Sequence, residues 1–373
     1  MELDLNALRG EINDIDMQML ALFEKRMEIC RDIAAYKKKN GMSVYQNGRE
    51  TEIINRVRIN SPSWLSDASA VLFSSIMDIS KCLQAEELTR GKIYPVPSVF
   101  EPSCAQVIAC QGTSGAYSEQ ACIKQFGADR SIRFMTTFDE VVGLVESGRA
   151  DFGILPLENS TVGTIEETYS LLARHELYIN SVIRVEITHC LAAKPETAEE
   201  NISKVYSKKE ALAQCSEYIR THSLTPVEYS NTALAAEMVK ESSEDIACIC
   251  SAECAEKLGL RIINDKVADA YPNFTRFICF SKSFASPEGA DTIAVSFTAP
   301  HTPGGLYRTL TKFAVNGLNL TKIVSMPVAG KDFDVQFFLD FEGSYSNRKV
   351  VTLLDDLSSS LGYFRFLGNF REI

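Results

Sequence analysis

Hydrophobic residues recur every three or four positions through the first 40 residues of the chain. These residues are Leu5, Leu8, Ile12, Ile15, Met19, Leu22, Ile29, Ile33 and Tyr36. The spacing predicts one amphipathic helix over 5–38, and Asn40-Gly41 is a suitable end for it. At 1.5 Å per residue this helix is roughly 50 Å long, which a domain of about 90 residues cannot cover. We therefore expect it to pair with a second copy of itself.

Two shorter helical patterns follow, over 49–60 and 67–88, and Ser61-Pro62-Ser63 separates them. We interpret residues 1–92 as an all-α domain on this basis. Residues 93–103 contain prolines at positions 95, 97 and 102, and this composition is typical of a linker.

After the linker, short apolar strands alternate with helical stretches, which predicts an α/β domain over 104–285. Ala285-Ser286-Pro287-Glu288-Gly289 marks a second boundary. The last segment, 286–373, shows strand patterns at 292–298, 320–326, 334–341 and 363–369 and helical patterns at 306–315 and 350–361. Their order is βαββαβ, the ferredoxin-like arrangement of an α+β domain.

The composition excludes several classes of protein. The chain has 38 basic and 49 acidic residues, a net charge of −11, and 45% hydrophobic residues. It is therefore neither disordered nor a general nucleic-acid binder. No apolar run reaches the roughly 18 residues of a membrane span, and the acidic N-terminus lacks the order of a signal peptide. The scattered cysteines favour reduced thiols in the cytoplasm and do not have zinc-site spacing, so we predict neither a membrane partner nor a metal.

Two cations interrupt the apolar face of the first predicted helix. Arg26 follows Leu22 by four positions, where a hydrophobic residue is expected, and Lys37 lies on the same face about 16 Å further along. Together they are suited to clamp a small dianion. Arg9 faces roughly the other way and is placed to serve a site of the paired copy. The alternative is that Arg26 only extends its charged end into solvent at the edge of a coiled coil.

Several short motifs of residues 1–90 occur in order and at fixed spacings. They are Leu8-Arg9-Gly10-Glu11-Ile12, Ala21-Leu22-Phe23-Glu24-Lys25-Arg26, Lys37, Gly48-Arg49-Glu50 and Ser80 with Gln84. As a set they resemble the all-helical chorismate mutases. The resemblance implies an intertwined dimer of three-helix protomers and an activity that needs no metal or cofactor.

The same resemblance implies roles for individual residues. Lys37 and Gln84 are the expected catalytic pair, which hydrogen-bonds the ether oxygen of chorismate. Arg26 is expected to hold one substrate carboxylate and Arg9 to reach another across the dimer. The remaining expected substrate-binding residues are Gln46, Arg49, Glu50 and Ser80. Gln46 stands where the family has an aspartate, and the backbone is able to make that contact.

Three motifs of the middle segment carry polar residues next to apolar strands. They are Gln111-Gly112-Thr113-Ser114-Gly115, Pro156-Leu157-Glu158-Asn159-Ser160-Thr161 and Asn273-Phe274-Thr275-Arg276-Phe277. The first lacks the glycine spacing of a nucleotide fingerprint. With Ile187-Thr188-His189-Cys190-Leu191, they resemble prephenate dehydratase. The resemblance implies two α/β lobes around a cleft, as in periplasmic binding proteins.

In that family Thr275 corresponds to the catalytic residue, which helps the ring hydroxyl of prephenate to leave. The cleft is expected to be lined by Asn159, Ser160, Thr161 and Arg276. Arg276 is the one evident cation for a dianionic substrate in a segment whose net charge is −8. We interpret His189 as a structural hydrogen-bond donor.

The C-terminal segment resembles an ACT domain, an amino-acid-sensing module. Gly304, Gly305 and Leu306 match the loop before its first helix, which the family uses to bind phenylalanine as an effector. A second family motif, Glu-Ser-Arg-Pro, reads Val324-Ser325-Met326-Pro327 here. The domain either binds its effector differently or serves mainly in assembly.

The three resemblances together predict a bifunctional enzyme of phenylalanine biosynthesis, which converts chorismate to prephenate and prephenate to phenylpyruvate. Its partners would be those two substrates, a phenylalanine effector and further copies of the chain. A non-catalytic small-molecule sensor is the main alternative, although it leaves the ordered cations of the first helix unexplained. A mutase joined to a dehydrogenase would need a nicotinamide fingerprint, which Gly112 and Gly115 do not form.

Overall fold

The computed structural model describes residues 4–42, 44, 47–328 and 334–373. Its helices are α1 (Leu5–Lys39), α2 (Asn47–Asn60), α3 (Ser66–Thr89), α4 (Tyr117–Phe126), α5 (Phe138–Glu146), α6 (Glu166–Arg174), α7 (Lys209–Gln214), α8 (Ser216–Thr221), α9 (Thr232–Glu241), α10 (Ala252–Leu258), α11 (Gly305–Val315) and α12 (Arg348–Ser360). None of the helices in the described residues is both long enough and apolar enough to cross a bilayer.

The strands are β1 (Ser98–Val99), β2 (Val107–Gln111), β3 (Ser131–Met135), β4 (Phe152–Asn159), β5 (Gly163–Thr164), β6 (Tyr178–Glu186), β7 (Cys190–Ala193), β8 (Lys204–Ser207), β9 (Thr225–Glu228), β10 (Ala247–Cys250), β11 (Arg261–Asn264), β12 (Phe274–Ser281), β13 (Ala285–Ser286), β14 (Thr292–Thr298), β15 (Leu320–Pro327), β16 (Val335–Glu342) and β17 (Phe364–Phe370). The chain divides into two compact units. The first unit is Met1–Val96 with Val295–Phe366, and the second unit is Pro97–Ala294 with Leu367–Ile373.

The predicted long N-terminal helix is confirmed as α1. Asp4 caps its start by accepting a hydrogen bond from the backbone N–H of Asn6. Its end is at Asn40, whose N–H bonds the carbonyl of Tyr36, and Gly41 then takes a left-handed φ of 64°. A left-handed residue after the last turn is a common helix ending and is easiest for glycine.

Among the residues that the structure describes, packing buries side chains of α1 only in its second half. The buried residues of the helix are Met27, Cys30, Ala34 and Lys37. The apolar residues of its first half are exposed, and they are Leu5, Leu8, Ile12, Ile15, Met19 and Leu22. An apolar stripe of this length on one helix is unusual unless another molecule covers it.

The predicted βαββαβ order is confirmed in the C-terminal part of the chain, as β14, α11, β15, β16, α12 and β17. In the first unit the strands are ordered β15-β16-β14-β17. Phe297, Phe313, Phe341 and Leu357 form fully buried parts of this module. Its helices α11 and α12 both contact α3, so the module and the N-terminal helices share one unit.

The second unit has the two α/β lobes that the resemblance to prephenate dehydratase implied. Its first lobe has the strand order β6-β12-β4-β2-β3, with β2 parallel to both of its neighbours and β12 antiparallel to both of its neighbours. The second lobe has the order β11-β7-β10-β8-β9. Separate apolar cores fill the lobes, and the connections near 187–190 and 267–273 join them.

Gly153 allows a close approach of an aromatic side chain in the first lobe. It lies opposite Phe280 in the pairing of β4 with β12, and Phe280 is fully buried. A Cβ atom at position 153 would lie 2.3 Å from the ring Cζ of Phe280. The aromatic ring therefore occupies the space that any other residue at this position would need.

We predict that Gly153→Ala destabilises the second unit by about 1–3 kcal/mol, because a buried ring must move to admit one methyl group. Urea unfolding followed by circular dichroism measures the change. The matched control is Gly143→Ala in α5, where a Cβ has nothing within 4 Å. Alanine there should leave stability unchanged or raise it by up to about 1 kcal/mol. Equal unfolding midpoints for the two variants would contradict the close approach.

Candidate active sites

A polar cluster lies between α1 and α3. The Arg26 Nη1 donates to the Ser80 Oγ at 2.5 Å, and the Lys37 Nζ donates to the Gln84 Oε1 at 3.2 Å. Lys37, Ser80 and Gln84 are buried, and Arg26 is half-buried. The two cations that interrupt the apolar face of α1 are therefore matched by two polar residues one turn apart on α3.

Lys37 has a second partner, because its Nζ also donates to the carbonyl of Val44 at 2.9 Å. Burial lowers the pKa of the Lys37 ammonium, while electrostatic interactions with Cys30 and Glu50 act in the opposite direction. A desolvated ammonium that donates to two oxygen acceptors is held in one place and one orientation. A donor fixed in this way is suited to stabilise a developing negative charge.

Glu50 joins the cluster through a residue that sequence reasoning missed. The Lys81 Nζ lies 2.7 Å from the Glu50 Oε2 and 3.0 Å from the Asp78 Oδ1. Lys81 and Asp78 are both buried, so the lysine charge is balanced by two carboxylates. The available signal was a lysine next to Ser80 in a helix that is otherwise largely apolar on that side.

Other predicted residues of the first site are not brought together. Arg49 pairs with Glu52 at 2.7 Å on the exposed side of α2. Arg9 is exposed, and its 17 positions before Arg26 correspond to roughly 25 Å along the helix. Gln46 lies outside the described residues. A single copy of the chain therefore assembles Arg26, Lys37, Glu50, Ser80 and Gln84 but not Arg9.

A second cluster forms where β4 and β12 pair in the first lobe of the second unit. Their register places Thr275 opposite Asn159. The Asn159 Nδ2 donates to the Thr275 Oγ1 at 2.9 Å and to the Asn273 Oδ1 at 2.8 Å. The Asn159 Oδ1 accepts from the backbone N–H groups of Thr161 and Val162, both at 3.0 Å. The amide of Asn159 is thus held at both ends, and it fixes the oxygen of Thr275.

The cluster continues into the second lobe through Gln214, at the end of α7. The Asn273 Nδ2 donates to the Gln214 Oε1 at 3.2 Å, and the Gln214 Nε2 donates to the Thr161 Oγ1 at 3.4 Å. Thr161 in turn donates to the Asn273 Oδ1 at 2.9 Å, and Ser160 accepts from the N–H of Phe274 at 2.9 Å. Asn273 and Gln214 were not predicted as site residues. Asn273 stood in a recognised motif, whereas nothing in the sequence marked Gln214.

His189 also belongs to this network, and it lies in the connection between β6 and β7. Its Nε2 lies 2.9 Å from the Gln214 Oε1, and a carbonyl oxygen only accepts, so Nε2 carries the proton. Burial lowers the pKa of His189, while the hydrogen bond to Gln214 acts to raise it. The imidazole is 2% exposed. This geometry agrees with its interpretation as a structural hydrogen-bond donor.

Arg276 does not join Thr275, although the two residues are adjacent in sequence. Successive side chains of a strand point to opposite faces. The Arg276 guanidinium lies 2.5 Å from the Glu158 Oε1 and 2.8 Å from the Glu372 Oε2. The strand thus directs Arg276 to a pair of carboxylates, and its expected place in the lining of the cleft stays a prediction.

The glycine-rich loop before α4 binds a carboxylate of the chain itself. The backbone N–H of Gly115 donates to the Glu119 Oε2 at 2.6 Å, and the Lys257 Nζ lies 2.8 Å from the Glu119 Oε1. A Cβ at Gly115 would lie 2.8 Å from the Cys254 Sγ. The loop therefore ties the first lobe to α10 of the second lobe.

The third predicted site, at Gly304, Gly305 and Leu306, lies at the start of α11. Gly304 has a left-handed φ of 77°, and a Cβ at Gly305 would lie 2.0 Å from the Pro300 carbonyl oxygen. A cavity of about 520 Å³ opens beside this loop. Its lining includes Pro303, Leu306, Asp334, Val335 and Phe337. Within this chain the three predicted residues thus lie together on the wall of one cavity.

Two family models match the parts of the chain that contain these clusters. A family model described as chorismate mutase type II matches residues 8–85. A second family model, described as prephenate dehydratase, matches residues 108–284. These ranges contain the α1–α3 cluster and the Asn159–Thr275 cluster respectively.

Among solved structures, a prephenate dehydratase from Arthrobacter aurescens in complex with L-Phe shares 30% identity with a TM-score of 0.66, over 71% of this chain and 89% of that one. A structure described as GqqA, a novel type of quorum quenching acylase, shares 30% identity with a TM-score of 0.65, over 72% and 98%. A bifunctional chorismate mutase/prephenate dehydratase of Aquifex aeolicus (strain VF5) is 30% identical over 98% of each chain. The chain belongs to the bifunctional chorismate mutase/prephenate dehydratase family.

Proposed function

We propose that the α1–α3 cluster rearranges chorismate to prephenate and that the Asn159–Thr275 cluster converts prephenate to phenylpyruvate. These are the two activities of the family, and they fit phenylalanine biosynthesis. The observation that carries the assignment of sites is the hydrogen bond from the Asn159 Nδ2 to the Thr275 Oγ1. It makes the threonine oxygen an acceptor, so its own proton is left to donate elsewhere.

The rearrangement needs no nucleophile and no general base. It needs the substrate folded so that the ends of the breaking and forming bonds are close, and it needs the negative charge on the ether oxygen stabilised. The Lys37 Nζ and the Gln84 Oε1, on two different helices, lie 3.2 Å apart, so the two side chains converge on one position. Arg26, fixed by Ser80, supplies the cation for a substrate carboxylate.

The dehydration is driven by formation of an aromatic ring. The ring carboxylate leaves as carbon dioxide, its bonding electrons enter the ring, and the hydroxyl leaves as water after taking one proton. Thr275 donates that proton and regains one from solvent. The amide of Asn159 stabilises the negative charge that develops on the threonine oxygen, as a preorganised donor does.

We also propose that different segments of the chain have different functions. Residues 1–92 would form the mutase segment, 93–103 a linker, 104–285 the dehydratase segment and 286–373 an ACT regulatory module. We place the enzyme in the cytoplasm, because its cysteines are free thiols and all except Cys104 are buried.

We predict that Thr275→Ala lowers the rate of phenylpyruvate formation at least about 100-fold, because the proton donor is lost. Chorismate consumption should be unchanged, since Thr275 lies in the second unit. Purified protein is incubated with chorismate, and prephenate and phenylpyruvate are assayed separately. Prephenate should accumulate in the variant.

Thr275→Ser is the matched control, because it keeps the hydroxyl and removes one methyl group. It should retain most of the dehydratase activity. Absence of both activities in the unmodified protein would reject the proposed function. Loss of both in a folded Thr275→Ala variant would reject the assignment of separate sites.

We propose further that the mutase works as a homodimer in which α1 helices pair. The exposed apolar residues of the first half of α1 would be buried by the second copy. Pairing also supplies Arg9, which a single chain holds roughly 25 Å from Arg26 along the helix. Each site would then combine Arg26 and Lys37 of one copy with Arg9 of the other.

This arrangement predicts complementation between two inactive variants. Arg9→Ala and Lys37→Ala should each lose nearly all mutase activity, because each removes a cation from every site. In a mixed dimer, one site carries both changes and the other carries neither. Coexpression should therefore restore mutase activity to roughly a quarter of the unmodified level.

The control is coexpression of Arg26→Ala with Lys37→Ala, whose changes fall in the same half of the site. That pair should restore no activity, because each site of the mixed dimer then carries one of the two changes. Recovery in the control, or no recovery in the Arg9 pair, would contradict the exchange of Arg9 between copies.

We propose that the cavity beside Gly304, Gly305 and Leu306 binds phenylalanine as an effector. The first turn of α11 offers backbone N–H groups for a carboxylate. Asp334 supplies a negative charge for the ammonium group, and Val335 and Phe337 supply apolar contacts for a ring. A relative of this chain has been solved in complex with L-Phe, which supports this choice of ligand.

Phenylalanine should bind the protein more tightly than tyrosine or tryptophan in calorimetric titration and should lower dehydratase activity. Asp334→Asn should weaken phenylalanine binding about tenfold, equivalent to about 1.4 kcal/mol, because it removes the charge that faces the ammonium. The dehydratase rate without effector should stay unchanged in that variant. Equal binding of phenylalanine by the variant and the unmodified protein would reject this site.

A further inference from the structure

A line of ionic contacts connects the mutase cluster with the first helix of the C-terminal module. It runs from Glu50 on α2 to Lys81 and Asp78 on α3 and ends at Arg308 on α11. We propose that Arg308 is a positioning residue for the mutase site, which acts through Asp78 and Lys81 on the carboxylate of Glu50. This inference rests on the proposed mutase function of the α1–α3 cluster.

Lys81 is the central group of this line. Its Nζ lies 2.7 Å from the Glu50 Oε2 and 3.0 Å from the Asp78 Oδ1. The side chains of Lys81 and Asp78 are 8% and 5% exposed, so water screens their attraction only weakly. The position of the Glu50 carboxylate therefore depends on how Asp78 and Glu50 share the lysine.

The two carboxylate oxygens of Asp78 face different cations. Its Oδ1 faces Lys81, and its Oδ2 lies 3.5 Å from the Arg308 Nε. Within the described part of the chain, Oδ2 receives no hydrogen bond. Arg308 therefore supplies positive charge on the side of Asp78 that Lys81 does not reach.

Removing the Arg308 charge leaves Asp78 to be balanced by Lys81. The ammonium is then drawn toward Asp78 and away from Glu50, because a buried carboxylate must keep a partner. Glu50, Asp78, Lys81 and Arg308 line one cavity of about 520 Å³, which leaves room for this shift. Glu50 would then hold the substrate less firmly.

The position of Arg308 links the mutase cluster to the start of α11. Its backbone N–H bonds the carbonyl of Gly304, so it lies in the first turn of α11, directly after the glycine loop. The rest of the line lies on α2 and α3. One contact of the mutase site is thus carried by the helix that begins at the proposed effector loop.

The experiment compares initial rates of both reactions for full-length Arg308→Gln, Arg308→Lys and unmodified protein. Arg308→Gln should raise the mutase KM about three- to tenfold and leave kcat within about twofold. The resemblance to chorismate mutases implies that Glu50 holds the ring hydroxyl of chorismate, which does not react, so Glu50 would bind ground state and transition state alike. Arg308→Lys should stay near the unmodified KM, because it keeps the charge. The dehydratase rate should not change in either variant.

Lys92→Met is the control for a general loosening of the module. Lys92 pairs with Asp355 of α12 at 2.8 Å and so joins the same two segments of the first unit without contact to Asp78. It should leave the mutase KM unchanged. A rise in KM equal to that of Arg308→Gln would reject positioning in favour of a structural effect.

A double-mutant cycle with Asp78→Asn tests the path. If Arg308 acts through Asp78, the mutase KM of the double variant should be no higher than that of the worse single variant. Independent, multiplicative effects would overturn the path, and an unchanged KM in Arg308→Gln would overturn the proposal. An unmodified protein without mutase activity would instead reject the proposed function itself.

Discussion

Polar side chains that are buried in a protein must find hydrogen-bond partners, and the geometry of both clusters follows from this requirement. Thr275 is buried on an interior strand, where its hydroxyl would be costly without a partner. The pairing of β4 with β12 supplies Asn159 opposite it, and Asn159 is itself held by backbone N–H groups. Each member of the network thus orients the next, and the Asn159 amide fixes the oxygen of the Thr275 hydroxyl.

In the α1–α3 cluster the buried groups that need partners are charged. Lys37 and Lys81 are both buried, and each finds oxygen acceptors on a neighbouring element. Because an unpaired buried ammonium is very unfavourable, these contacts restrict how α1, α2 and α3 pack against one another. Although the chain has a net charge of −11, the local set of charges and not the total decides the electrostatic field at this cluster.

Much of the fold could be predicted from periodicity. Apolar positions at steps of three and four predicted α1 to within one residue of its observed end, because a helix buries one continuous stripe. The βαββαβ order was also readable, since each strand and helix of that module is short and bounded by turn residues. The ion pairs of Arg276 with Glu158 and Glu372 could not be predicted, because strand pairing and packing of distant segments bring these residues together.

The sequence by itself determined which elements form and which residue types are available, since these depend on spacing within one segment. Only the tertiary structure decided which distant residues meet. Gln214 reaches Asn273 across two lobes, and Lys81 lies between Glu50 and Asp78, because strand register and helix packing bring separate segments together. The periodicity within one segment contains no information on the distance between separate segments. These contacts could therefore be identified only from the tertiary structure.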